Sequence, residues 1–321
     1  MLDIAVIGAG RIGQIHARNI AAHQGARLVG IADPDVCAAS RLAQICGSQV
    51  ISLDAAFSSQ AVLIASPTPT HADFIEAAAN AGQAIFCEKP IDLSVQRVED
   101  CLATVRRTGV ALMVGFNRRF DPHFAELKRR LDAGAIGRLE MLTIISRDPS
   151  PPPPAYVAVS GGLFRDMMIH DLDMARFLLG EEPVSVYAAA SVLVDPAIGT
   201  AGDVDTAMVT LRTASGRLCQ ISNSRRATYG YDQRIEAHGA AGMLRAGNVP
   251  VSTVELANAS GVTGDPVLPF FLERYAAAYR AELDCFITNA RVGPNGADGL
   301  AALRLADAAT RSAQLGQVVV L

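Results

Sequence analysis

A two-domain α/β protein is the fold class that this 321-residue sequence predicts: an N-terminal doubly wound parallel sheet, then an α/β domain with a large, mostly antiparallel open sheet. Three observations carry that expectation. From residue 2 to about 116, short apolar runs alternate with helical patterns, the rhythm of βαβ units. Beyond GFNRRFDP, strand-like segments follow one another without intervening helices, as antiparallel strands do. A glycine triplet, GAGRIG, stands between the first strand and the first helix.

In the first domain, expected over residues 1–118, the strands are IAVIGAG, ARLVGIADP, AVLIASP, QAIFCEKP and VALMVGF. The helices between them are RIGQIHARNIAAHQ, a segment near 35–46, HADFIEAAANAG and a segment from about 94. The second domain, 119–321, opens with a helix over about 120–133 and the strand LEMLTIISR. A stiff proline run, Pro151 to Pro154, reads as a loop. After a helix over 161–180 come the strands SVYAAASVLV, DTAMVTLRT, GRLCQISNSR and YDQRIEAHG, and two amphipathic helices (about 269–292 and 297–314) finish the chain.

Half of the residues are hydrophobic, enough for packed cores in both domains. The formal net charge of −4 comes from interspersed charges, with no Lys/Arg tract to follow a phosphate backbone and no basic amphipathic stretch, so neither nucleic acid nor membrane is an expected partner. The six cysteines include no C-x-x-C pair, which argues against a zinc site and a disulfide framework; no metal is expected. The N-terminus runs directly into a strand and no apolar run spans a bilayer, so the cytoplasm is the expected location.

The glycine triplet sits where a dinucleotide-binding Rossmann turn requires it. Gly8 allows the tight turn, Gly10 the approach of a pyrophosphate and Gly13 close helix packing, while the helix start, Arg11 and Ile12 included, offers N–H donors. The second strand ends at Asp33, twenty residues past Gly13, where a carboxylate can accept from the hydroxyls of an adenosine ribose. Pro34 and Asp35 follow, with no Arg or Lys to hold a 2′-phosphate, so NAD rather than NADP is the expected cofactor. Asp33 can also serve as a cap for the next helix.

Ligands of such sheets gather outside the carboxyl ends of the strands. Three segments end there: one supplies Ser66, Thr68, Thr70 and His71, one Glu88 and Lys89, and one Asn117, Arg118 and Arg119. Ser66, Thr68, Glu88 and Lys89 are candidate cofactor contacts. Thr70 is equally an N-cap, and His71 reads as a solvated residue of a first helical turn. Lys89 stands before Pro90, which holds its backbone extended, and is a candidate for catalysis or substrate contact.

The helix over 161–180, GGLFRDMMIHDLDMARFLLG, holds Asp166, His170 and Asp173 at i, i+4 and i+7 on one stripe, with Phe164, Met167, Met168 and Leu172 on the other side. A polar stripe made of catalytic residue types rather than Lys and Glu is what a helix facing both a core and a substrate cleft presents. Asp171 lies roughly opposite the stripe and has no functional reading.

Together GAGRIGQIHARNI, IADPD, SPTPTHADFIEAAANAG, CEKPI, GFNRRFDP, SGGLFRDMMIHDLDMARFLLG and GADGLAALRLADAATRS resemble the glucose–fructose oxidoreductase/inositol dehydrogenase/rhizopine catabolism family nearly end to end. PPPAYVAVSGGLF and ATYGYDQRIEAHG most resemble its inositol 2-dehydrogenases. The resemblance implies an NAD-dependent oxidation of a cyclitol alcohol, myo-inositol first, with another cyclitol or an aldose as alternative and a non-catalytic NAD-binding sensor as a more distant one. It implies that Lys89, Asp166 and His170 are catalytic, with His170 the base, and that Asp173 and Tyr231 hold hydroxyls, with Tyr229 close enough to be confused with Tyr231; Asn117, at a strand end, is a further candidate for those hydroxyls. It also implies a homo-oligomer, a tetramer favoured, built on the open sheet. One departure stands out: those dehydrogenases read D-M-T-I-H where this chain has Asp166-Met167-Met168-Ile169-His170. On a regular helix Met168 points into the core; in an irregular first turn it reaches the cleft.

Overall fold

The computed structural model describes all residues from Met1 to Leu321. It divides into two compact units, one formed by 1–120 with 278–303, the other by 121–277 with 304–321. A single cut at 118/119 falls two residues before the first boundary of this division and misses that a late segment, 278–303, belongs with the first unit.

In the first unit the order is β1 (Leu2–Ile7), α1 (Arg11–Ala22), β2 (Ala26–Ala32), α2 (Val36–Cys46), a short α3 (Leu53–Ala56), β3 (Ala61–Ile64), α4 (His71–Asn80), β4 (Ala84–Glu88), α5 (Val95–Thr108) and β5 (Leu112–Gly115). All strands pair in parallel, in the order β2-β1-β3-β4-β5. Continuous apolar strands such as AVLI of β3, buried at every position, are what a sheet covered on both faces requires. The strand order reverses between β1 and β3, and the crevice outside their carboxyl ends is where ligands of such sheets bind. Late in the chain, Leu283, Phe286 and Ala290 join the core of β1, β2 and α1, and Asn295 bridges to Met113 of β5.

The second unit holds α6 (Pro122–Asp132), β6 (Leu139–Arg147), α7 (Pro154–Ser160), a π-helical turn (Leu163–Met167), α8 (Ile169–Leu179), β7 (Pro183–Ser191), α9 (Pro196–Thr200), β8 (Thr206–Thr213), β9 (Leu218–Ser224), β10 (Asp232–Gly239), β11 (Gly242–Ala246), the hairpin β12 (Glu255–Asn258) and β13 (Gly261–Gly264), and α10 (Phe271–Arg274). Helices α11 (Ala276–Asn289) and α12 (Gly296–Leu315) and the strand β14 (Val319–Val320) complete the chain. The seven-stranded sheet runs β11-β10-β6-β9-β8-β7-β14, and every pairing is antiparallel except β6 with β9.

One face of this sheet is covered. Leu142, Ile144, Val209, Leu211 and Ile221 are buried on it, and α8 docks there through Asp171, which accepts from Ser146 Oγ of β6 at 2.5 Å and Asn223 Nδ2 of β9 at 2.9 Å. The other face is open: Met141, Tyr187, Met208, Leu218 and Met243 are exposed, and the register sets Met141 beside both Leu218 and His238. No helix is long and apolar enough to cross a membrane.

Three local expectations are corrected. The proline run is not wholly a loop, since Pro154 opens α7, a position where its missing N–H costs nothing. The helix over 161–180 is broken: residues 163–167 form a π turn, closed by the Met168 amide donating to Leu163 O at 2.8 Å, and the α-helix begins only at Ile169. The strands β11, β12, β13 and β14 add to those expected; they lie in segments whose hydrophobic alternation is weak.

Candidate active site

The nucleotide half of the site is built from backbone. Gly8 has φ +108°, and a Cβ there would stand 2.5 Å from Ala65 O, so the turn after β1 can lie against the end of β3 only as glycine. A Cβ on Gly13 would meet Gly8 O at 1.9 Å, which is how closely α1 packs on the turn. Gly10, the residue before α1, has open space where a side chain would be and no side chain caps the helix, leaving its first N–H groups for an anion.

Asp33, just past β2, accepts from the Ala9 amide at 2.6 Å through one oxygen and from the Asp35 amide at 2.7 Å through the other. Each carboxylate oxygen keeps a further lone pair for a ribose hydroxyl. The cap of α2 is Asp35, whose Oδ1 accepts from the Ala38 amide at 3.0 Å, so Asp33 is not a helix cap. A glycine cradle, uncapped helix amides and an oriented carboxylate together fit a dinucleotide.

At the end of β3, Ser66 Oγ lies 2.7 Å from Thr70 Oγ1, and Thr70 also donates to Pro67 O, so Thr70 makes no capping bond to α4. Thr68 opens the same short 3-10 turn and is half-buried. His71 departs from expectation: it is 2% exposed, with Nδ1 2.8 Å from Pro90 O and Nε2 2.7 Å from Ser66 O. It ties the loop after β3 to the loop after β4 instead of facing solvent. A histidine in a first turn carries no signal of this, because the tie depends on a second loop nineteen residues away.

Glu88 closes β4 and its carboxylate lies 2.7 Å from His16 Nε2; Lys89 follows, half-buried, joined to Pro90 by a cis peptide bond. Asn117 is buried, and its side-chain oxygen has no hydrogen-bond partner within the protein, a feature suited to a ligand donor. Arg118 is buried beside it, whereas Arg119 pairs with Asp298 at 3.0 Å and is accounted for within the fold.

In the second unit Asp166 projects from the π turn and His170 from the first turn of α8, both half-buried. Asp166 accepts from Tyr156 Oη at 3.0 Å and lies 3.8 Å from the guanidinium of Arg225, itself 3.7 Å from Asp203. Asp203 in turn accepts from the Leu163 amide at 3.0 Å, anchoring the start of the π turn. Arg225, Asp203 and Tyr156 are not legible as site residues in the sequence; only the tertiary fold assembles them around Asp166.

Asp173 is buried on α8, 3.8 Å from Arg176. Tyr231 is buried and packs edge-on against Tyr275 at 5.9 Å between ring centres. Tyr229 is 49% exposed, and its hydroxyl donates to Asp232 at 2.6 Å and accepts from Arg147 at 3.0 Å. That hydroxyl is committed to a surface network, which leaves Tyr231 as the candidate of the two. Met168 is fully buried, as a packing role requires, although the regular helix assumed for it is absent. Asp171, without a reading in the sequence, is the docking carboxylate of α8 described above.

Comparison with known proteins agrees along the whole chain. Residues 2–116 match the family model described as an oxidoreductase family with NAD-binding Rossmann fold, and 124–245 match the GFO/IDH/MocA C-terminal domain. An inositol 2-dehydrogenase of Rhizobium meliloti is 55% identical over 314 residues, covering 96% of this chain and 95% of its own. The crystal structure of a myo-inositol dehydrogenase from Corynebacterium glutamicum superposes with TM-score 0.95 at 47% identity, covering 100% of this chain and 99% of that one. A scyllo-inositol dehydrogenase from Lactobacillus casei, solved with NAD(H) and scyllo-inositol, gives TM-score 0.90 at 30% identity with the same coverage. A glycine cradle at the switch point, a second unit with a mixed open sheet and matches spanning both lead to one statement: the chain belongs to the Gfo/Idh/MocA oxidoreductase family.

Proposed function

We propose that this protein is an NAD-dependent cyclitol dehydrogenase that oxidises a ring secondary alcohol to a ketone, with myo-inositol to 2-keto-myo-inositol the reaction favoured and a place in myo-inositol breakdown its role. The observation that carries the reading is the 55% identity with an inositol 2-dehydrogenase over nearly the full length of both chains, and the motifs CEKP and DMMIH, which hold Lys89, Asp166 and His170, support it. Scyllo-inositol is the second reading, favoured by the relative solved with that ligand.

NAD bound at the glycine cradle would supply the hydride acceptor. Gly8, Gly10, Arg11, Ile12 and Gly13 would hold its pyrophosphate, Asp33 its ribose, and Ser66, Thr68 and Glu88 its remaining parts. His170 takes the hydroxyl proton, since an imidazole titrates near working pH. Asp166, held by Tyr156 and the nearby Arg225, orients His170 and stabilises its charged form. The Lys89 ammonium polarises the substrate oxygen. Asn117, Asp173 and Tyr231 hydrogen-bond the remaining hydroxyls of an uncharged ring.

The deciding experiment is reduction of NAD, followed at 340 nm, against a panel of inositols and aldoses. Turnover confined to aldoses, or absent with every polyol, would overturn the proposal. We further read the protein as a cytoplasmic homo-oligomer, a tetramer favoured. All six cysteines are free, and the open sheet face carrying Met141, Met208 and Met243 is a surface that a second copy would cover. Sedimentation of a monomer at micromolar concentration would refute the assembly.

A further inference from the structure

The first unit buries a cluster of three titratable side chains from three elements: His16 of α1, Glu88 of β4 and Glu282 of α11. Their polar atoms lie within 4.8 Å of one another. His16 and Glu282 have no solvent exposure and the Glu88 side chain keeps 12%. The His16 ring is walled by Phe86 and Tyr279, edge-on at 5.1 and 5.6 Å. On the neighbouring strand, Gly115 stands in register with Glu88, and a Cβ there would come within 2.9 Å of Glu88 Oε2. The Glu88 carboxylate is thus caged by an imidazole on one side and bare backbone on another. Both oxygens of Glu282 are buried without a hydrogen-bond partner.

We propose that Glu282 is a positioning residue for Lys89, acting through Glu88: it closes the remaining side of the Glu88 cage and so fixes the end of β4 from which Lys89 departs. The inference rests on the role proposed above for Lys89. Closing the cage requires Glu282 to be neutral. Two carboxylates this close in a dry site do not both ionise. Glu88 has the imidazole partner and some solvent, whereas Glu282 has neither, so Glu282 is the one that stays neutral. Burial, and then the charge of Glu88, hold the Glu282 carboxyl well above the usual carboxylate range. An ionised Glu282 would push Glu88 from His16 and loosen the segment that carries Lys89. A metal bridging the three groups is disfavoured because His16 Nε2 already bonds Glu88 at 2.7 Å.

The test combines a double-mutant cycle on kcat, with NAD and myo-inositol, and hydrogen exchange of the backbone amides around Glu88 and Lys89. Glu282→Ala should lower kcat about tenfold, equivalent to about 1.4 kcal/mol, and speed exchange at those amides. Glu282→Gln, neutral and of the same shape, should restore both to near the unsubstituted values. In a Glu88→Ala background, Glu282→Ala should cost no further rate. If Glu282→Ala does not fold, Glu282→Asp, which withdraws the carboxyl from Glu88, takes its place with the same expectations. Rate losses that multiply, a Gln variant as impaired as Ala, or unchanged exchange would overturn the proposal. So would a stoichiometric divalent metal that Glu282→Gln loses. Exchange needs no turnover, so it tests the cage around Glu88 even if the protein oxidises no polyol.

Discussion

The turn after β1 and the segment from Leu163 to Leu179 both carry candidate site residues, but they are specified differently. In the glycine turn, function lies in the backbone: positive φ at Gly8, contact at Gly13 and exposed amides at the helix start. Everything needed is within a few residues, and spacing alone encodes it. In the second region, helical spacing sets Asp171 apart from Asp166 and His170, but only their partners say what each carboxylate does. Asp171 bonds Ser146 and Asn223 from two strands, whereas Asp166 stands beside Tyr156 and Arg225. A backbone site is local information; a side-chain site is decided by what the rest of the chain brings to it.

The comparison breaks most sharply at His170. His170→Ala should lower kcat by about 10²- to 10⁴-fold, the usual worth of a positioned base, with NAD affinity nearly unchanged. Single-turnover kinetics and NAD titration check both halves, and near-normal turnover would return His170 to structure. Gly13→Ala should do the reverse. The methyl meets backbone at 1.9 Å, and the displacement should weaken NAD binding by about 2–3 kcal/mol, on the scale of local backbone strain. Calorimetric titration measures it; unchanged affinity would mean that α1 shifts freely.

A more gradual effect concerns pH. Glu282 holds its proton in the fold to well above the 4.5 at which an ordinary glutamate loses it. The folded state therefore binds more protons than the unfolded state above that value, and this group's contribution to stability falls as pH rises until the folded carboxyl itself ionises. Glu282→Gln removes the slope. Its stability relative to the unsubstituted protein should grow by up to about 1.4 kcal/mol per pH unit across that window. Urea unfolding between pH 5 and 8 would reveal a pH-independent difference if the carboxyl were ionised throughout.

The smallest effect is expected at Met168. Because the side chain is fully buried, Met168→Thr should change the myo- to scyllo-inositol kcat/KM ratio by less than about tenfold, or about 1.4 kcal/mol, while lowering Tm by leaving a hydroxyl in an apolar site. A larger swing in the ratio would move Met168 into substrate recognition.

The legible part of this protein follows from the same distinction. The parallel sheet, the glycine turn and the run of antiparallel strands are readable because hydrophobic period and turn residues are local. His71 reads wrongly as solvated because its ring bonds two carbonyls on separate loops, and the π turn escapes because it depends on Asp203, forty residues away, anchoring the Leu163 amide. The strand β14 is two residues long and has a place only because β7 offers an edge. The functional candidates Lys89, Asp166 and His170 come from a strand end before Pro90 and from helical spacing, with their roles drawn from resemblance; geometry adds their immediate neighbours.

The late segment that completes the first unit has a consequence during biosynthesis. The ribosome releases residues 1–120 long before Leu283, Phe286 and Asn295 exist, because more than 150 residues lie between. At ordinary elongation rates of about 5–20 residues per second, that interval is on the order of ten seconds. Throughout it the nascent sheet lacks part of its apolar cover, and His16 lacks the neighbour that Glu282 provides. The nucleotide-binding unit can therefore reach its final form only after residues 278–303 have been made, and a fragment ending at Phe120 should be a poor substitute for it: sticky, proteolytically fragile and in need of chaperone shelter.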